Sequence, residues 1–474
     1  MKKIALTIIS VLLFVLLTGS AAVAYSPVAS VKSGVYDDVE SILVELKSDG
    51  GEIHYTLDGN KPDIDSPLYS TPFELTETTV IRAICFKEGY AESRVSTYNY
   101  IINEGHELPV LCLNVDRFGP FKEQYAIGGK GKERAATLAL YEDGKQVFSR
   151  ACGVDLRGGA ALYDAKKTLG VWFRSEYGDG KLRNIDLFGT GKDNYKSLVI
   201  RAGQDYHGCV IRDSLCGALC AAIGDNVPVQ NSKYCVLYIN GKYYGIHCLK
   251  EHMNYSYFAN LDGVDRDDVK ILKATETYAG LYQDEEFSND LSLKRDYEDF
   301  CKEFDIDNLM DYLIIEGYCG NWDLKENVRF YKSSANDGKW RAYFFDGDKA
   351  FYGRKHTFKN ILTDGGNSVY KVQSLFNTLL ANDEFSEKIL ARYDDLIEGV
   401  LSDENVLAEI DRQTALIESE IPRDFERWGL NPEQWYKCID DLKAMIEGDG
   451  TQSFADYSKS ALEKYIAEAK RNRA

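Results

Sequence analysis

The chain has 474 residues, a formal net charge of −19 and a 44% hydrophobic fraction that includes 32 Tyr and 21 Phe. That length is more than one hydrophobic core serves, so two or three domains are expected. The acidity argues against nucleic acid, whose phosphates demand a basic face, and against anionic membrane surfaces; it suits a basic substrate or simple solubility.

Lys2 and Lys3 precede an apolar run from Ile4 to Leu17, and small residues follow, ending Ala22-Val23-Ala24. A basic start, a short apolar core and an A-x-A exit make up a secretory signal peptide, here residues 1–24 with cleavage after Ala24. The run is shorter than the roughly 20 apolar residues of a spanning helix. No Cys follows it to carry a lipid. The protein is expected to be secreted or at the cell surface, with no membrane span after signal cleavage.

Residues 25–103 read as a small β-sandwich. Ile42–Leu46 and Glu52–Thr56 are strand-like and flank the hairpin signal Ser48-Asp49-Gly50-Gly51, and Thr79–Phe86 alternates apolar and other residues. Glu104-Gly105-His106-Glu107 is a polar joint. Beyond it, strands are expected at Pro109–Val115, Ala136–Tyr141, Lys196–Arg201, Tyr234–Asn240 and Tyr244–Leu249, with an Asn240-Gly241 hairpin turn. Helices are expected at Asp213–Ile223, Tyr297–Phe304, Ile306–Cys319, Phe385–Leu401, Asn405–Ile421 and Phe454–Arg471. Strands lead and helices follow, which makes the fold class α+β. The division is a domain over 104–402 and a helical C-terminal extension over 403–474 that packs on it.

Eleven cysteines, an odd number without a C-x-x-C spacing, read as mostly free buried thiols. The six histidines form no H-x-x-x-H, so no zinc site is expected.

The chemistry-bearing stretch is Asn321-Trp322-Asp323-Leu324-Lys325-Glu326-Asn327. A strand, the turn Asn336-Asp337-Gly338-Lys339 and a second strand lead on to Asp346-Gly347-Asp348. Phosphoryl transfer needs a carboxylate that orients the attacking hydroxyl and hard oxygen ligands for the metal on the polyphosphate. Protein kinases place the base Asp and a metal-binding Asn on one loop, and a second metal-binding Asp after the next hairpin. Asp323, Asn327 and Asp346 occur in that order.

Two resemblances add to this. Ile53-His54-Tyr55-Thr56-Leu57-Asp58-Gly59, Ser66-Pro67-Leu68-Tyr69 and Ile81-Arg82-Ala83 resemble the β-sandwich at the C-terminus of chitobiases. That module implies a spacer or a contact with polysaccharide or the cell surface. The second resemblance rests on five upstream segments: Leu156-Arg157-Gly158-Gly159, Ala165-Lys166-Lys167-Thr168-Leu169, Leu198–Gly203, Ile211-Arg212-Asp213 and Leu237–Glu251. Together with the acidic stretch, they resemble the CotH (spore coat protein H) family of secreted atypical protein kinases over roughly residues 108–400.

The second resemblance implies a kinase-like fold, ATP with Mg²⁺ or Mn²⁺ as cofactors, and protein substrates with accessible Ser or Thr. It implies Asp323 as the catalytic residue, Asn327 and Asp346 as metal ligands, and Asp348 as a further ligand or a support for Asp346. Lys166 or Lys167 would contact phosphates. Glu251 would fix that lysine or bind metal, and Arg157 and Arg212 would support phosphate or loop. One departure is Arg157-Gly158-Gly159-Ala160-Ala161, where the family carries Arg-Gly-Asn-Ser-Ser or something near it. Losing these polar groups favours an alternative, a non-catalytic surface-binding protein. A glycoside hydrolase is a third reading, resting on the chitobiase-like module and the abundant carboxylates.

Overall fold

A computed structural model describes residues 22–273, 296–324, 327–363, 370–448 and 450–473. Residues 1–21 of the expected signal peptide lie outside the described residues. Ala22 and Ala24 exchange backbone hydrogen bonds with Ala91. No described helix is long and apolar enough to cross a membrane.

The N-terminal module is β-rich. Strands β1 (Gly34–Tyr36), β2 (Glu52–Thr56), β3 (Thr79–Phe86) and β4 (Ser96–Ile102) pair in the order β1-β4-β3-β2, beside the short pair Ile42–Val44 and Phe73–Leu75. Their inward residues, among them Val44, Ile81 and Tyr100, form a separate core. The polar joint that follows is docked. His106 Nδ1 lies 2.8 Å from Glu420, and its Nε2 lies 2.7 Å from the Tyr238 hydroxyl. Arg82 pairs with Asp116 at 2.8 Å, while Asn99 and Asn114 join across the boundary at 2.8 Å.

The next sheet takes seven strands, β5 (Val110–Val115), β6 (Arg134–Glu142), β7 (Lys145–Arg157), β8 (Thr168–Trp172), β9 (Ser197–Arg201), β10 (Ser232–Ile239) and β11 (Lys242–Glu251), beside the short pair Leu182–Arg183 and Asn194–Tyr195. The seven pair in the order β6-β5-β10-β11-β9-β8-β7, and β7 pairs back with β6, so the ring closes. All pairings are antiparallel except β5–β10. Period-2 alternation puts Leu113, Leu138, Val154, Val171, Ile200 and Leu237 in one apolar cluster inside the ring. The opposite face, with Cys112, Tyr141, Val236 and Cys248, packs against the helices.

Two of these strands, β7 and β8, escape the sequence reading. β7 is half exposed, with Lys145, Gln146, Ser149 and Arg150 breaking the apolar pattern. The Asn240-Gly241 turn is as expected, with both residues at positive φ (48° and 73°).

Helix α1 (Phe118–Ile127) inserts Phe121 and Tyr125 into the ring's apolar cluster. Helices α2 (Arg212–Ala222), α3 (Tyr255–Asp262) and α4 (Ile306–Cys319) precede a hairpin. Its strands, β13 (Arg329–Lys332) and β14 (Arg341–Tyr343), pair with each other, and β13 also pairs with β12 (Lys270–Lys273). Helices α5 (Asp383–Glu398), α6 (Asp403–Ile417), α7 (Ile421–Arg427), α8 (Glu433–Glu447) and α9 (Phe454–Arg473) share the larger core with α2 and α4. The chain after 403 therefore packs on the strands and helices before it.

Nine cysteines are free, and eight of these are buried; Cys209 and Cys438, 229 residues apart, form a disulfide. The bridge ties the loop before α2 to α8, where the Trp435 indole also donates to the Cys209 carbonyl at 2.9 Å. A crosslink over so long a loop restricts the unfolded chain. Cys438→Ala is expected to lower stability by about 3 kcal/mol, measured as a reductant-insensitive fall in the denaturant midpoint. An unchanged midpoint would mean that packing alone holds α8.

Candidate active site

The site lies where the ends of β9 and β11, the first turn of α2 and the turn after β14 meet. Arg201, the last residue of β9, faces three carboxylates. Its Nη2 is 2.5 Å from Asp346 Oδ1 and 2.9 Å from Asp348 Oδ2, and its Nε is 2.7 Å from Asp213 Oδ2. Lys250 on β11 meets the same Asp213 oxygen at 2.5 Å. Asp213 Oδ1 accepts the Gly347 N–H at 3.0 Å, and Asp348 Oδ2 accepts the Gln204 N–H at 2.8 Å. Gly347 is required between the two acids, since a Cβ there would stand 2.8 Å from Cys216 Cβ on α2.

The charges are finely opposed. Burial disfavours an ionised Asp213, yet Arg201 and Lys250 hold its carboxyl far below the usual range. Asp346 is pushed up to about 6 by burial; Arg201 works against this and the neighbouring Asp348 and Asp213 add to it. Asp346 also sits at φ +70°, a backbone state that Asp tolerates better than most residues.

Helix α4 delivers the second half of the site. It is capped by Asp305, which accepts the Asn308 N–H at 3.1 Å, and ends at Gly320 in the left-handed conformation. The sharp exit buries Asn321, whose Nδ2 donates to the Asp346 carbonyl at 3.0 Å while its Oδ1 lies 3.3 Å from the Asp323 N–H. Asn327 Nδ2 donates to the Asp323 carbonyl at 2.8 Å. Asn321 thus links the loop of Asp323 and Asn327 to the acidic turn. Between those two, residues 325 and 326 are outside the described residues.

Beside Asn321, Glu316 is 1% exposed, and neither carboxyl oxygen has an aligned hydrogen-bond partner. Burial pushes its pKa up to about 8, opposed by Asn321 and Tyr312 and aided by Asp346. The folded state therefore keeps a proton that the unfolded chain loses near its ordinary value of 4.5. Stability falls as pH rises between those two values and levels off above the higher one. Glu316→Gln is expected to remove that slope and to gain about 5 kcal/mol over the parent by alkaline pH. Parallel pH–stability curves for the two proteins would contradict it.

A basic and aromatic wall adjoins the site on the outer face of β7 and β8. The Arg157 guanidinium lies 4.5 Å and that of Arg174 5.1 Å from the Trp172 ring, which meets His252 at 4.9 Å. His252 is lowered to about 4 by burial, then by Arg157 and Arg329, so both arginines face one imidazole.

The other expected residues are placed elsewhere. Lys166 is wholly buried and pairs with Asp424 of α7 at 2.8 Å. Lys167 donates to the carbonyls of Leu162 and Asp164, closing the short turn Ala160–Tyr163. Arg212 pairs with Asp205 at 2.6 Å and lies over Tyr352. Glu251 meets Lys192 at 2.5 Å and the Asn231 amide at 2.8 Å. Lys192, Glu251, His252, Asn254 and Tyr257 line a small polar cleft.

Three central residues, Arg201, Asp213 and Lys250, lie inside the resembling segments, the last two directly beside the expected Arg212 and Glu251. The missing signal is the face each residue presents, since adjacent strand residues point to opposite sides.

Residues 31–97 match the family model of the chitobiase/beta-hexosaminidase C-terminal domain. Residues 154–449 match that of the CotH kinase protein, in the order expected from the sequence. No curated protein matches the chain. The CotH match covers more than half of the sequence and runs from β7 through the acidic turn into α8, so the chain belongs to the CotH kinase protein family.

Proposed function

We propose that this kinase-like protein transfers the γ-phosphate of ATP to Ser or Thr hydroxyls of secreted or surface proteins in a metal-dependent reaction. The observation that carries this reading is the Asn321 side chain, which bonds to the backbone of both Asp323 and Asp346. One loop and one turn, separate in sequence, are thereby held as a unit.

In this reading Asp323 orients the acceptor hydroxyl and takes its proton. Asn327, Asp346 and Asp348 offer the hard oxygens that Mg²⁺ or Mn²⁺ prefers. Among the described residues no three His, Cys, Asp or Glu side chains form a ready cage. The donor chemistry nevertheless fits, because three carboxylates converge on Arg201. A bound divalent ion would neutralise polyphosphate charge and polarise the transferred group. Arg157, its side chain 39% exposed and on the basic wall, is suited to phosphate oxygens. Lys166, Lys167 and Arg212 act in this reading as supports for the fold, and Glu251 acts through Lys192.

The runner-up, a non-catalytic binding protein, draws on the Gly159-Ala160-Ala161 turn, which carries no side-chain hydrogen-bonding group. The two separate in one assay: the protein lacking residues 1–24 is incubated with γ-labelled ATP, a generic protein acceptor, and Mg²⁺ or Mn²⁺. Label on Ser or Thr that disappears with chelator supports transfer. Absence of label on both acceptor and enzyme would favour the runner-up.

A further inference from the structure

We propose that Arg201 is the resident counter-ion of the acidic site and sets its metal affinity, so that a divalent cation binds by taking over carboxylate oxygens that the guanidinium now holds. This rests on the metal-dependent reading of the site. Arg201 contacts Asp213, Asp346 and Asp348 within 2.9 Å, and so stands in the space that an ion shared by those carboxylates would fill. The five N–H donors of a guanidinium can bridge several carboxylates at once, which the point charge of a lysine cannot.

Two of the three carboxylates do not depend on Arg201 alone for their positions. Asp213 is fixed by the Gly347 N–H and by Lys250, and Asp348 by the Gln204 N–H. Asp346 is anchored through its carbonyl by Asn321. Removing the guanidinium would therefore leave a preorganised set of oxygens rather than a collapsed one. A second buried acid, Glu316, lies beside Asn321 with both oxygens lacking an aligned partner.

Charge decides the direction of the effect. Three ionised carboxylates against Arg201 and Lys250 leave one net negative charge, and an added divalent ion would overshoot to one net positive charge. Without Arg201 the same ion would bring the group to neutrality. In a low-dielectric pocket that difference is large, because like charges a few ångströms apart repel strongly. Arg201 accordingly keeps the empty site together and weakens metal binding until the incoming phosphates give its guanidinium another partner.

The test uses Mn²⁺ alone, without nucleotide, titrated into the full folded protein and followed by the paramagnetic signal of the free ion. Arg201→Met is expected to bind Mn²⁺ about tenfold more tightly than the parent. Affinity equal to the parent or weaker would overturn the proposal. Adding Asp346→Asn to Arg201→Met must abolish the gain; a gain that survives would place the ion elsewhere on this acidic chain and sink the idea. If Arg201→Met does not fold, Arg201→Gln removes the charge but keeps a polar side chain, and a several-fold tightening is expected there, with no change overturning it. No ATP enters these titrations. A failure of phosphate transfer would leave this result standing, and transfer with unaltered Mn²⁺ affinity would overturn only the role of Arg201.

Discussion

Asp323→Ala is expected to lower phosphate incorporation by about 10²- to 10⁴-fold, the range that a positioned general base contributes. The variant should still fold, because two of the contacts that hold the loop run through main chain. The Asp323 N–H faces Asn321 Oδ1 and the Asp323 carbonyl accepts from Asn327 Nδ2, and both survive a change of side chain. Affinity for metal-bound nucleotide should therefore persist while turnover collapses. A variant that kept more than half of the parent rate would remove Asp323 from the chemistry.

The second large effect concerns stability. Lys166 and Asp424 form an ion pair in which both side chains have no exposed surface. Burial lowers the lysine and raises the aspartate, each against the pull of its partner. Asp424 Oδ1 also accepts the Ile246 N–H at 2.8 Å, and Gly245 has no Cβ because one would meet that oxygen. Lys166→Ala strands a buried carboxylate and is expected to destabilise the fold by about 3–5 kcal/mol. Replacing both partners, Lys166→Met with Asp424→Leu, should recover most of that loss.

The double variant also decides what Lys166 does. Restored stability with parental ATP affinity assigns it to the fold. Restored stability with lost ATP affinity would return it to the phosphates.

Much of this protein can be read from its sequence, for identifiable reasons. Short apolar runs mark β5, β6, β10 and β11 because most of their residues are buried on both faces. Caps and turns such as Asp305, Gly320 and Asn240-Gly241 act through nearby backbone and so are visible locally. The closed ring was not legible. It depends on the parallel pairing of β5 with β10 and on β7, whose polar half hides its pattern. The disulfide joins residues 229 positions apart, a distance that no local pattern spans.

In the proposed site, Asp323, Asn327, Asp346 and Asp348 stand out in the sequence because phosphoryl transfer would call for those residue types in that order. Their cationic partners do not. Lys250 and Glu251 are adjacent, yet one reaches Asp213 and the other Lys192, because consecutive strand residues point to opposite faces. Lys166 and Lys167 look interchangeable in sequence. Only packing shows that one lies sealed against α7 and the other against carbonyls of a turn.

The central claim is that the Asp323 loop and the Asp346 turn act on one metal-bound nucleotide. Calorimetric titration of a non-hydrolysable ATP analogue, with and without Mn²⁺, tests it most directly on the parent and on Asp346→Ala. Binding that requires Mn²⁺ in the parent and vanishes in Asp346→Ala is the expected result. Binding that ignores both Mn²⁺ and the substitution, or no binding to the parent at all, would contradict it.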